Sequence, residues 1–100
     1  MTSYRVVFSP EARDDLVELY DFIADEAGAD IALGYIERIE AQCRRLQDFP
    51  ERGTLRGDIR PGLRIIGFER RVVIAFHVEP AIVVINRILY GGRQIESAFH

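Results

Sequence analysis

The chain has 100 residues, a length that makes one domain, 1–100, with a single core of two packed layers. Its 48% hydrophobic and 29% charged residues exclude a disordered chain. The formal charge of −3 conceals a division: all 13 basic residues are Arg and none is Lys, and residues 1–50 carry 5 Arg against 11 carboxylates (net −6), whereas residues 51–100 carry 8 against 5 (net +3).

Tyr4-Arg5-Val6-Val7-Phe8 is short, β-branched and aromatic, and it stops at Ser9-Pro10, which predicts a first strand. Ser9 then reads as an N-cap, with Pro10 at the first helical position and Glu11 in the first turn. Ala12, Leu16, Leu19, Tyr20, Ile23 and Ala27 recur at helical spacing. Glu11, Asp14, Asp15, Glu18, Asp21 and Asp25 fill the other side, where a solvated face accounts for them. The helix runs from about Pro10 to Ala27, with Gly28 as its C-cap. Asp30 is expected to cap a second helix whose apolar stripe is Ala32, Tyr35, Ile36, Ile39, Cys43 and Leu46, ending before Pro50. The short Gly28-Ala29-Asp30 connection makes the pair an antiparallel hairpin.

Glu51 to Gly62 holds Pro61 and Gly53, Gly57 and Gly62, and is expected to be mostly loop. Three β-rich runs follow, Leu63–Phe68, Val72–Val78 and Ile82–Leu89, with breaks short enough for hairpins, hence an antiparallel meander. The stretch from Gly91 to His100 has room for a final turn or short strand. Val72-Val73-Ile74-Ala75-Phe76 and Ile82-Val83-Val84-Ile85 are apolar at consecutive positions, a pattern of burial on both sheet faces. The helical hairpin can cover only one, so the other face, or the groove beside it, is expected to be apolar and to await a partner.

No apolar run approaches the ~20 residues of a membrane span, and the first residues lack the apolar core of a signal peptide, so the cytoplasm is the expected location. Cys43 can close no intrachain disulfide and build no zinc site alone; on an apolar helical stripe it reads as core packing. There is no GxGxxG, Walker loop, HExxH or GxSxG, and no metal or cofactor is expected. The arginines carry more. Arg64 and Arg87 interrupt apolar strands, Arg71 opens the middle strand of the meander, and Arg93 follows Gly91-Gly92. A charge in an apolar strand needs a partner or an edge. These side chains either bind carboxylates such as Asp58 or form a cationic surface for phosphate or an acidic protein segment. Arg suits both, because its planar fork binds them bidentately and stays charged, which also makes it a poor proton shuttle. His77, between Phe76 and Val78 in a strand, reads as structural or partner-facing.

A set of motifs runs in order along the chain: Phe8-Ser9-Pro10 with Ala12, Asp15-Leu16, Tyr20-Asp21-Phe22-Ile23, Ala32 with Tyr35-Ile36 and Ile39, Cys43-Arg44-Arg45-Leu46 and Phe49-Pro50. It continues through Gly57-Asp58-Ile59-Arg60-Pro61-Gly62-Leu63-Arg64, Val73-Ile74-Ala75-Phe76 and Ile85 to Arg93. On these residues the chain resembles the ParE toxins of the RelE/ParE superfamily over essentially its whole length. The resemblance implies an α+β fold of order β-α-α-β-β-β, with the helical hairpin on one face of a small, mainly antiparallel sheet. It implies a toxin of a type II toxin–antitoxin system that poisons DNA gyrase, as an inhibitor and not an enzyme. A ParD-like antitoxin is the implied partner, contacting Arg64, Arg71, Arg87, Arg93 and His77 along the uncovered face. Arg93, Gln94, Phe99 and His100 are the candidates for gyrase inhibition. The chain's overall acidity argues against sequence-specific DNA binding by this chain alone. The alternative is the RelE branch, which cuts messenger RNA on the ribosome. Arg71, Arg93 and His100 fit that branch; the absent lysines and a Phe99 without a hydroxyl do not. A non-toxic binding module derived from the fold is the third reading.

Overall fold

The computed structural model describes residues 3–91 and 95–99. Strand β1 is Arg5–Phe8, helix α1 is Pro10–Ala27 and helix α2 is Ala29–Arg44, followed by one 3-10 turn at Arg45–Gln47. Strands β2 (Thr54–Leu55), β3 (Arg64–Phe68), β4 (Val72–Val78) and β5 (Ile82–Tyr90) follow, then a one-turn helix α3 at Ile95–Ala98. The sheet order is β1-β5-β4-β3-β2, with β1 parallel to β5 and the other neighbours antiparallel.

Ser9 caps α1: its Oγ accepts from the Ala12 N–H at 3.0 Å, and Pro10 occupies the first turn, where its missing N–H costs nothing. The expectation of an Asp30 cap is corrected. Gly28, at φ 101°, ends α1 and also precedes α2, which begins at Ala29 and places Asp30 in its first turn. A glycine serves because an L side chain is strained at that φ. The stretch 51–62 is mostly loop, as expected, and also contains the two-residue β2, which pairs Thr54 with Ile65 and Leu55 with Arg64. The close approach depends on Gly53, at φ 75°, where a Cβ would collide with the Ile65 carbonyl.

Two apolar clusters flank the sheet. On one side the stripes of α1 and α2 (Ala12, Leu16, Leu19, Ile39, Cys43) pack on Val72, Ile74, Phe76, Val83, Ile85 and Ile88. On the other, Leu63, Ala75, Leu89 and Ile95 are buried together, with Ile59, Ile65, Val73, Ala98 and Phe99 against them. This second cluster corrects the expectation of an uncovered face. Residues 59–63 and α3 close over its centre, so the two-sided apolar pattern of β4 and β5 is largely satisfied within the chain.

Candidate functional site

β1 ends at Phe8, opposite Ile85, so the edge of β5 beyond that point has no strand beside it. The start of α1 takes over the edge. Ser9 donates its N–H to the Ile85 carbonyl at 2.9 Å and its Oγ–H to the Asn86 carbonyl at 2.9 Å. Asp15 accepts the Ile88 N–H at 2.8 Å. A β-bulge lies between these contacts, since Ala75 pairs with Arg87 and Phe76 with Ile85, leaving Asn86 as the extra residue.

At the bulge Arg87 forms a two-pronged ion pair with Asp15, Nε to Oδ2 at 2.8 Å and Nη2 to Oδ1 at 2.9 Å, and Nη1 donates to the Ala98 carbonyl at 3.2 Å. The Asp15 side chain is 3% exposed and that of Arg87 18%. Asp15 therefore does not belong to the solvated face where its charge suggested it sat. The hydrogen bond to Asp15 pushes the Arg87 pKa above the usual guanidinium value. Sequence reasoning missed Asp15, yet a signal existed. Position 15 falls between Ala12 and Leu19 at helical spacing, so a carboxylate there faces the core and requires a partner.

Among the other predicted site residues, Arg64 is half-buried and its Nη1 reaches the Arg52 carbonyl at 3.4 Å. His77 has Nδ1 2.9 Å from Asn86 Oδ1 and Nε2 2.8 Å from a Glu79 carboxylate oxygen, so both ring nitrogens are occupied. Arg71 is exposed and lines a recess of about 410 Å³ with Ile23, Ile31, Tyr35, Glu69 and Tyr90. Aromatic rings floor that end of the molecule. Tyr35 lies 6.3 Å from Tyr90 and 6.1 Å from Phe68, and Phe22 lies 5.8 Å from Tyr90. Burial, reinforced by Glu69 and Tyr90, raises the Tyr35 pKa. Arg93, Gln94 and His100 lie outside the described residues.

Asp58, proposed as an acceptor for the strand arginines, is held instead by Arg56, Nε to Oδ1 at 3.0 Å and Nη2 to Oδ2 at 2.9 Å; that guanidinium holds the Asp58 carboxyl below its usual range. Arg56 also reaches Glu96 of α3 at 3.3 Å, and the Arg60 guanidinium lies 4.5 Å from the centre of the Phe99 ring. A polar recess of about 310 Å³ beside them is lined by Glu11, Arg60, Asn86, Arg87, Ala98 and Phe99. A second recess, on the helical hairpin, is lined by Arg13, Leu16, Val17, Tyr20, Ile36 and Glu40. Cys43 is fully buried, and burial pushes its thiol up to about 12, which removes it as a nucleophile near neutral pH. Among the described residues no His, Cys, Asp and Glu cluster suits a metal ion, and no helix is long and apolar enough to cross a membrane.

This is a small α+β fold whose helical hairpin covers one sheet face, with Arg38, Arg56 and Arg87 each paired to a carboxylate of the same chain. The chain belongs to the ParE toxin family of type II toxin–antitoxin systems, whose family model matches residues 6–95. It is 33% identical over 93 residues to Toxin ParE3 of Caulobacter vibrioides, covering 93% of this chain and 92% of that protein. It also resembles a chain of the solved chromosomal ParDE toxin–antitoxin system of P. aeruginosa. That likeness has a TM-score of 0.77 and 27% identity and covers 88% of this chain and 96% of that one.

Proposed function

We propose that this toxin poisons DNA gyrase by binding, without catalysing a reaction of its own, and that a ParD-like antitoxin neutralises it. The observation that carries the binding reading is the state of the charged groups. Arg56 and Arg87 are already engaged by carboxylates. A guanidinium stays charged near neutral pH, so these groups fix shape and charge and do not shuttle protons.

The antitoxin reading rests on the recess at Arg71. Its floor is apolar and aromatic and a guanidinium stands at its rim, which suits an amphipathic segment carrying carboxylates. Arg64, Arg71 and His77 are the proposed contacts among the described residues. Arg87 has its guanidinium occupied by Asp15 and the Ala98 carbonyl and lines the separate recess beside Phe99. Arg64→Ala and Arg71→Ala should each weaken the toxin–antitoxin complex by about 1–3 kcal/mol, the worth of a hydrogen bond to a charged group, as read by calorimetric titration. Unchanged affinity in both removes this surface.

Purified toxin added to gyrase should inhibit supercoiling and accumulate cleaved DNA. If gyrase is unaffected while ribosome-bound messages are cut, the RelE-branch reading replaces this one. If neither happens and expression leaves growth unimpaired, the chain is a binding module without toxicity.

A further inference from the structure

Helix α3 is four residues long, far short of the ~12–15 at which isolated helices become even marginal. Its position must come from what holds it. Ile95, 8% exposed, inserts beside Leu63, Ala75 and Leu89. Three arginines then converge on the next four residues, each through a different chemistry. Arg56 takes the Glu96 carboxylate at 3.3 Å, Arg87 donates to the Ala98 carbonyl at 3.2 Å, and Arg60 stacks over the Phe99 ring at 4.5 Å.

The anchors are themselves fixed. The Ile59 and Arg60 N–H groups both donate to the Arg56 carbonyl, at 3.1 and 3.3 Å, and the Leu63 N–H donates to the Arg60 carbonyl at 3.0 Å. Arg56 and Arg60 thus leave one tight turn together. Arg87 is locked to α1 through Asp15. The segment 95–99 is therefore referenced to three parts of the fold: the 56–60 turn, β5 and α1. Arg side chains lose much rotamer freedom when held, so three of them on so short a segment is more than docking one isoleucine requires.

We infer that Arg56, Arg60 and Arg87 are positioning residues that hold residues 95–99 in one presented conformation. The inference rests on the reading that the C-terminal segment meets gyrase. A segment fixed before binding loses less entropy on binding, so releasing it weakens the target contact while the fold persists.

The test uses the full chain with Arg56→Ala, Arg60→Ala and the double variant, none of which touches the large core cluster. Hydrogen exchange of the 95–99 amides should accelerate about tenfold in the double variant, with the melting temperature and antitoxin affinity little changed. The toxin concentration that half-saturates gyrase-dependent DNA cleavage should rise about tenfold, and Arg60→Lys, which keeps a cation over Phe99, should lie between. Unchanged exchange overturns the clamp. Faster exchange with undiminished cleavage overturns its positioning role. A photocrosslinking residue at exposed Ser97 separates that failure from a failure of the underlying reading. A crosslink to gyrase means that the segment is the contact and needs no clamp. Its absence means that the segment was not the contact.

Discussion

Arg87 stands in a strand of apolar neighbours, and its charge is met by Asp15, 72 positions away in sequence. Both oxygens of Asp15 are used, and one also closes the β5 edge through the Ile88 N–H. Removing either partner strands a charge with little access to water. Arg87→Ala should therefore cost close to the about 3–5 kcal/mol of a broken buried pair, because it strands Asp15 at 3% exposure, and Asp15→Ala somewhat less, because the stranded Arg87 side chain is 18% exposed. Urea denaturation measures both, and a loss below about 1 kcal/mol in each would show that the pair is worth no more than a surface contact. Half of this arrangement was legible in the sequence. Arg87 announced a need for a partner by interrupting an apolar run, whereas Asp15 was hidden among five neighbouring acidic residues that do face water. Pairing across that separation is set by the end of β1, which local periodicity does not report.

At the scale of elements, the helices and the three long strands were readable because each carries its own signal: an N-cap serine, a 3.6-residue stripe, or a β-branched run between turn residues. β2 was not, because two exposed residues have no periodicity, and their pairing depends on Gly53 passing close to Ile65. The cover over the second sheet face was missed for a related reason. It is built by an irregular turn and a four-residue helix, whose few apolar residues act only together. The β3–β4 turn shows sequence and geometry in tension. Glu69 and Arg70 have φ of 48° and 66°, a left-handed pair that ordinarily calls for Asn-Gly. Glu69 is compensated by a bidentate bond from Arg38, at 3.0 and 3.2 Å, and Arg70 forms no ion pair with the described residues. Arg70→Gly should therefore relieve about 1 kcal/mol of backbone strain, less part of glycine's greater entropy in the unfolded chain. The expected result is a melting temperature higher by about 2–6 °C. A lower melting temperature would mean that the Arg70 side chain stabilises the turn through packing.

For the molecule as a whole, the division of charge follows the division of structure. The helical half carries −6 and the half containing the meander carries +3, so the two layers present opposite fields to an approaching partner. Within α1 and α2 the acidic residues other than Asp15 are exposed or half-buried, while Arg64 belongs to β3 and Arg70 and Arg71 to the turn between β3 and β4. A partner segment rich in carboxylates is drawn to the second region and repelled by the first, so the field selects its orientation before any contact forms. Steering of this kind acts on the encounter. Raising ionic strength from about 0.1 to about 1 M shortens the Debye length from about 10 to about 3 Å. Association with a ParD-like antitoxin should then slow by about tenfold or more, while dissociation, governed by the apolar recess and short-range bonds, changes far less. Stopped-flow association across that range is the measurement. Arg70→Ala, whose side chain is outside the proposed contact set, should reduce the salt dependence without altering the dissociation rate. An association rate indifferent to salt would remove the charge division from recognition and leave shape and apolar contact to set the orientation.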